Sequence, residues 1–192
     1  KKYKKWILIG SAIVKNHKNK IVNRSILIND KGLIKKYYDK IHMYDVTLSK
    51  KEKYHESKIF QPGYLSKSHN LPWGKLGLTI CYDLRFPLLF RKLSQQGCVF
   101  ISVPSAFTKT TGKKHWHSLL KARAIENFCY IFAPAQSGKH YNGRETFGHS
   151  LIVSPDGKIL KELKNKNGVI TTSINPELSK KLRSIIPSLN KN

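Results

Sequence analysis

The sequence predicts a β-rich α/β fold, with sheets covered by helices on one side and packed sheet against sheet on the other. Three observations lead there. Apolar runs of strand length alternate with amphipathic helical stretches along the 192 residues. Several of those runs follow one another with only a turn between them, so not every connection is a helix crossover. Some, such as "WILIGSAIV" (6–14), are almost continuously apolar, as in strands buried on both faces.

The elements are expected in this order. After the strand at 6–14, "NHKNK" (16–20) turns the chain into a second strand, "NRSILIN" (23–29). "DKG" (30–32) is a tight turn into "LIKKYYDKIH". Residues 45–72 are polar and punctuated by Pro and Gly, which predicts a long irregular loop of functional kind. "KLGLTIC" (75–81) reads as a central strand. "PLLFRKLSQQ" (87–96) reads as a helix with proline at its start and Gly97 as its stop. "CVFISVP" (98–104) is a further strand. In "KKHWHSLLKARAIEN" (113–127), Trp116, Leu119, Leu120 and Ala124 share one helical face. Four more strands are expected at 128–135, 147–153, 158–163 and 168–174, with "SPDG" (154–157) turning between two of them. A short helix and a basic tail follow Pro176; residues 1–5 and 189–192 are expected to be loose ends of a single domain covering 1–192.

Composition narrows the function classes. No stretch approaches a membrane span, and no signal-peptide pattern is present. The three cysteines, Cys81, Cys98 and Cys129, are odd in number and widely spaced, which suits neither a disulfide framework nor a C-x-x-C metal site. A reducing cytoplasmic setting fits. The net charge of +25 raises nucleic-acid binding, but the lysines are spread along the chain and no nucleic-acid motif accompanies them. Weak, non-specific attraction of polyanions is the expected consequence, with no specific nucleic-acid or membrane partner.

The most informative stretch is "GLTICYDLRFP" (77–87). An apolar strand delivers Cys81 and breaks at once into a polar turn ending in proline. In open α/β sheets functional groups sit at the carboxyl ends of strands. A sharp turn there can lift a nucleophile clear of the sheet. The other reading is a buried structural cysteine. His115 and His117 form an H-x-H, but on a helix that spacing turns the rings to different faces, so no metal site is expected from it. Arg123 and Glu126 stand three apart on the same helix and can pair with each other.

The stretches "YYDKIHMYDV" (37–46), "ESKIFQPG" (56–63), "CYDLRFP" (81–87), "PSAFTKTTGKKHW" (104–116), "ARAIE" (122–126) and "FGHSLIVSPDGKIL" (147–160), in this order, resemble the nitrilase superfamily of carbon–nitrogen hydrolases. The likeness is to its Nit branch and runs from residue 6 to about residue 188. It implies part of a four-layer α-β-β-α sandwich, usually dimeric, and a cofactor-free, metal-free amidase acting on small linear amides such as deaminated glutathione or an omega-amide. By motif, the nucleophile falls on Cys81 and the triad lysine on Lys40. A further glutamate beside the triad falls on Glu56. Substrate contacts fall on Tyr82, Arg85, Phe86, Ala106 and Phe107. For Arg85 a structural ion pair is the competing role, and for Tyr82 and Phe86 simple packing.

The chemistry accounts for the residue types. A thiolate attacks the amide carbon, and a fixed cation with a backbone N–H, that of Tyr82, steadies the oxyanion. A carboxylate carries the proton from the thiol to the departing ammonia. The resemblance places that carboxylate in an "LPE"-type segment ahead of the lysine motif. Here only Asp30 and Asp39 are acidic before Lys40. The first strand–helix units and one triad member are therefore expected to be missing from these 192 residues, leaving a sheet edge or an apolar face uncovered. Such a chain would need a complementing N-terminal segment, as half of a split enzyme does, or would be an inactive remnant.

Overall fold

The computed structural model describes residues 2–50, 52–141 and 143–190; Lys1 and residues 191–192, at the expected loose ends, lie outside them. Strands β1 (Ile7–Lys15), β2 (Ile21–Ile28) and β3 (Ile34–Asp39) form an antiparallel three-stranded sheet in that order. A second sheet is built from β6 (Lys67–Leu71), β7 (Gly74–Leu78), β8 (Cys98–Ser102), β9 (Tyr130–Ala133), β12 (Leu151–Val153) and β13 (Ile159–Glu162). Its order is β13-β12-β9-β8-β7-β6. The neighbours β7, β8 and β9 run parallel, and the outer pairs are antiparallel. The parallel pairs are bridged by α1 (Pro87–Gln95) and α2 (Lys109–Asn127), as crossovers between parallel strands require.

The alternation of side chains along the central strands makes two cores. On one face Ile101, Val103 and Ile131 meet Phe90 and Leu93 of α1 and Trp116, Leu120 and Ala124 of α2. On the other, Leu76, Leu78, Phe100 and Tyr130 meet Leu27 and Tyr38 of the small sheet. Gly10 of β1 permits a close approach between the layers, since a Cβ there would stand 2.5 Å from the Pro104 Cβ. Helix, sheet and sheet are thus three of the four layers that the resemblance implies. The three-stranded sheet leaves Ile7, Ile9, Ile13 and Ile34 exposed among the described residues.

Five expectations need correction. The 45–72 loop contains a hairpin, β4 (Asp45–Thr47) with β5 (Lys53–His55), a 3-10 turn at Glu56–Lys58, and the edge strand β6. Edge position explains why Lys67–Leu71 is polar and why Pro72 can follow it. Helix α2 begins four residues early, because Gly112 is no helix breaker: a Cβ there would strike Phe147 at 2.4 Å. The expected strand 147–153 is broken by left-handed backbone at Gly148 and His149 (φ 72° and 58°). Only its first residue, Phe147, falls in β11 (Glu145–Phe147), which pairs with β10 (Ser137–Lys139), and its end is β12. Residues 168–174 are no strand. They find no ladder partner among the described residues, and Val169 is 87% exposed. The chain end is better anchored than expected. Helix α3 (Glu177–Ile185) is fastened by Arg183, whose Nη2 donates to the carbonyls of Cys98 (2.6 Å) and Asn127 (3.0 Å). Leu189 is buried, and its carbonyl accepts from Gln95 Nε2. No helix among the described residues is long and apolar enough to cross a membrane.

Candidate active site

Cys81 follows the end of β7 and opens a 3-10 turn, Cys81–Arg85. Its backbone is left-handed (φ 48°), and its N–H donates to the Pro104 carbonyl at 2.9 Å. A cysteine in that conformation is strained by the clash of Cβ with backbone, of order 1–2 kcal/mol. This is the sharp strand-end turn that the sequence suggested. Lys40 comes from the end of β3 in the other sheet. It is only 3% exposed, and its Nζ donates to Glu56 Oε2. The same oxygen accepts the backbone N–H of Tyr44 at 2.7 Å. The carboxylate thereby compensates a buried ammonium that would otherwise be unfavourable by several kcal/mol.

Cys81, Lys40 and Glu56 line one cavity of about 980 Å³ between the sheets, together with Tyr82, Ala106 and Phe107. Arg85 and Phe86 do not line it. Arg85 lies 3.2 Å from His115 Nδ1, with its guanidinium over the Phe107 ring. Phe86 stacks on His42 at 3.5 Å and meets the Tyr82 ring edge-on. Both therefore form the support behind the wall. Arg123 pairs with Glu126 as the spacing suggested, and also donates to the Leu84 carbonyl.

Three residues escaped the sequence reading. Asp83 is fully buried two residues past Cys81. It accepts from Tyr38 Oη (2.7 Å), the Ile80 N–H (2.8 Å) and the His42 N–H (3.2 Å), and its Oδ1 lies 2.7 Å from His42 Nδ1. It thus ties the chain on both sides of Lys40 to the turn that carries Cys81. Burial, helped by the adjacent Asp83 charge, pushes the Tyr38 phenol far above its usual range, so it stays a donor. Tyr44 lies on the cavity wall, where burial raises its phenol against the opposing pull of Thr108 and Arg85. Arg144, also on the wall, donates from Nη2 to the Ala106 carbonyl and spreads its guanidinium over Tyr54. Among the described residues, the cavity wall carries three cations, Lys40, Lys53 and Arg144, against one carboxylate, Glu56.

The other thiols are set apart. Cys98 is fully buried, and burial pushes its thiol up to about 11. At pH 7 that leaves about one thiolate in ten thousand. Burial also raises Cys129, opposed by Arg183. Iodoacetamide at neutral pH is expected to label Cys81 well before Cys98 or Cys129, because the thiolate is the nucleophile and only Cys81 is partly exposed. Peptide mapping checks this; preferential labelling of either buried thiol would contradict it.

Comparison with known proteins identifies the family. Two proteins named deaminated glutathione amidase, from Synechocystis strains, are 46% identical over 172 residues, 88% of this chain and 63% of theirs. One of that name from Yersinia enterocolitica is 43% identical over 195 residues, all of this chain and 68% of its own length. The chain therefore spans under two thirds of the Synechocystis relatives. The crystal structure of the C. elegans NitFhit protein superposes with a TM-score of 0.92 at 34% identity, over 100% of this chain and 47% of that one. Saccharomyces cerevisiae Nit3, a member of branch 10 of the nitrilase superfamily, gives 0.88 at 31% identity, over 99% and 67%. The carbon–nitrogen hydrolase profile matches residues 1–184, and the chain belongs to that family.

Proposed function

We propose that this chain carries the reaction centre of an amidase that hydrolyses a small, anionic, linear amide, such as deaminated glutathione or an omega-amide, through a Cys81 thioester. The observation that carries this reading is the opening of Cys81, on its strained turn, into the same cavity as the buried Lys40–Glu56 pair. Cys81 Sγ attacks the amide carbon. Lys40, paired with Glu56, faces the oxyanion with the Tyr82 N–H. The C–N bond breaks as the amine receives a proton, and water then cleaves the thioester. Glu56 binds Lys40 and the Tyr44 N–H through one oxygen, so it serves as a positioning carboxylate. The proton carrier implied by the resemblance is a glutamate on an N-terminal segment ahead of the lysine motif. The free thiols suit a reducing, cytoplasmic setting, and a homodimer is the assembly the resemblance implies.

The cationic wall supports an anionic substrate. Arg144 is placed to bind a carboxylate remote from the scissile amide. Charge-assisted hydrogen bonds contribute about 1.5–3 kcal/mol, so Arg144→Ala should raise KM roughly 10–150-fold. Reaction on an uncharged amide should change little. Equal losses on charged and uncharged amides would remove Arg144 from this role. The reaction itself is tested by ammonia release from deaminated glutathione and α-ketoglutaramate, by the chain supplied with a glutamate-bearing N-terminal segment. Activity should vanish in Cys81→Ala; activity that survives this change would refute the proposal.

A further inference from the structure

Away from the cavity, three donor groups from distant parts of the chain meet at the edge of the six-stranded sheet. His117 comes from α2, His149 from the left-handed bend before β12, and Glu162 ends β13. Glu162 Oε1 lies 2.6 Å from His149 Nδ1 and 2.9 Å from His117 Nε2, and the three donor atoms lie within 4.8 Å of one another. His115, two residues from His117, faces elsewhere, toward Arg85. We propose that His117, His149 and Glu162 form a binding site for a divalent transition-metal ion, with zinc the best fit and water as fourth ligand.

The ligand chemistry selects the ion. Two imidazoles and one carboxylate suit zinc, cobalt or nickel, whereas calcium and magnesium require oxygen-rich cages. In a tetrahedral zinc site with bonds of about 2.0–2.1 Å, neighbouring donors stand about 3.3 Å apart. The present N···O spacings need to widen by roughly half to three quarters of an ångström, within reach of a rotation of the Glu162 side chain. The ring nitrogens now facing the carboxylate act as N–H donors. Metal binding requires their lone pairs, so each ring shifts its proton to the other nitrogen or releases it.

The surroundings hold the ligands in place. Trp116 Nε1 donates to the His149 carbonyl at 2.9 Å, and the His149 N–H donates to the Lys164 carbonyl at 2.9 Å. Phe147 stacks on the His149 ring at 4.1 Å, and the His117 ring stands edge-on to His149 at 5.3 Å. All three ligands are partly buried, with side-chain exposures of 33, 18 and 23% for His117, His149 and Glu162. Water can therefore reach the fourth position. A bound ion would clip α2 to the β12–β13 edge of the sheet.

The test uses the full chain with Cys81→Ala, which removes the cavity thiol as a competing ligand. Titration with Co²⁺ should give the visible absorption of tetrahedral cobalt at one ion per chain, without a thiolate charge-transfer band. Zn²⁺ should displace it and raise the melting temperature by several degrees. His117→Gln and Glu162→Gln, at the more exposed positions, should each abolish the absorption and the zinc-dependent shift. The chain has eight histidines, so binding that persists in both variants would assign it elsewhere and overturn the proposal. No absorption and no shift in the parent chain would identify the cluster as a hydrogen-bonded staple only.

Discussion

Alone, the 192-residue chain is expected to release ammonia ~10²–10⁴-fold more slowly than the same chain supplied with an N-terminal segment bearing the "LPE"-type glutamate, the usual range for losing general acid–base help. The residues on the cavity wall give the reason. Attack by Cys81 needs a proton acceptor, and the departing amine needs a donor. Glu56 is the single carboxylate among the described residues of the wall, and its Oε2 is engaged by Lys40 and by the Tyr44 N–H. Moving a proton onto it would weaken its hold on the buried Lys40 ammonium, whose charge the oxyanion needs. Lys40 cannot take over, since it serves only while charged. The measurement is ammonia release from both substrates, with and without the segment. Full turnover by the chain alone, abolished by Cys81→Ala, would make Glu56 the base and defeat the argument.

The second large effect concerns stability. Asp83→Ala should lower the unfolding free energy by about 3–5 kcal/mol, the range for breaking a buried charged network. For a chain of this size that corresponds to roughly 6–20 °C in Tm. The loss is large because Asp83 is fully buried and accepts from Tyr38, Ile80 and His42. Its removal leaves several donors without partners at once. Asp83→Asn keeps the shape but replaces one accepting oxygen with a donor, so it should fall between wild type and alanine. Urea midpoints and thermal melts decide the matter. A shift below about 1 kcal/mol for Asp83→Ala would show that water replaces the carboxylate and that the network is dispensable.

How far the sequence discloses such features depends on the distance over which each is made. Cys81 was visible because strand, cysteine, turn and proline are contiguous. Lys40 and Glu56 were legible only through the family likeness, since a lysine among so many carries no local signal. Asp83 was hidden because its meaning lies in partners 41 and 45 residues away, His42 and Tyr38. Arg144 was missed for a similar reason: its place on the wall depends on the β10–β11 hairpin, whose strands are three residues each. The same logic explains the errors in the fold. Lys67–Leu71 is a strand with a polar pattern because it lies at an edge. Residues 168–174 have the pattern of a strand but no neighbour to pair with among the described residues. His117 and His149 also looked unrelated until α2 and the bend at Gly148–His149 brought them together.

The left-handed backbone at Cys81 bears on descent as well as on chemistry. Glycine takes that conformation without the penalty of order 1–2 kcal/mol that a Cβ brings. In a lineage freed from selection on a reaction, replacements that relieve local strain tend to accumulate, because most other changes destabilise. Position 81 would then be among the early losses, and glycine or asparagine the natural successors. This chain instead keeps a cysteine there (φ 48°), opposite a buried lysine that is unfavourable without its glutamate. The strained cysteine and the glutamate-dependent lysine line one cavity, so relief at either position is the first change expected once selection on a reaction is lifted.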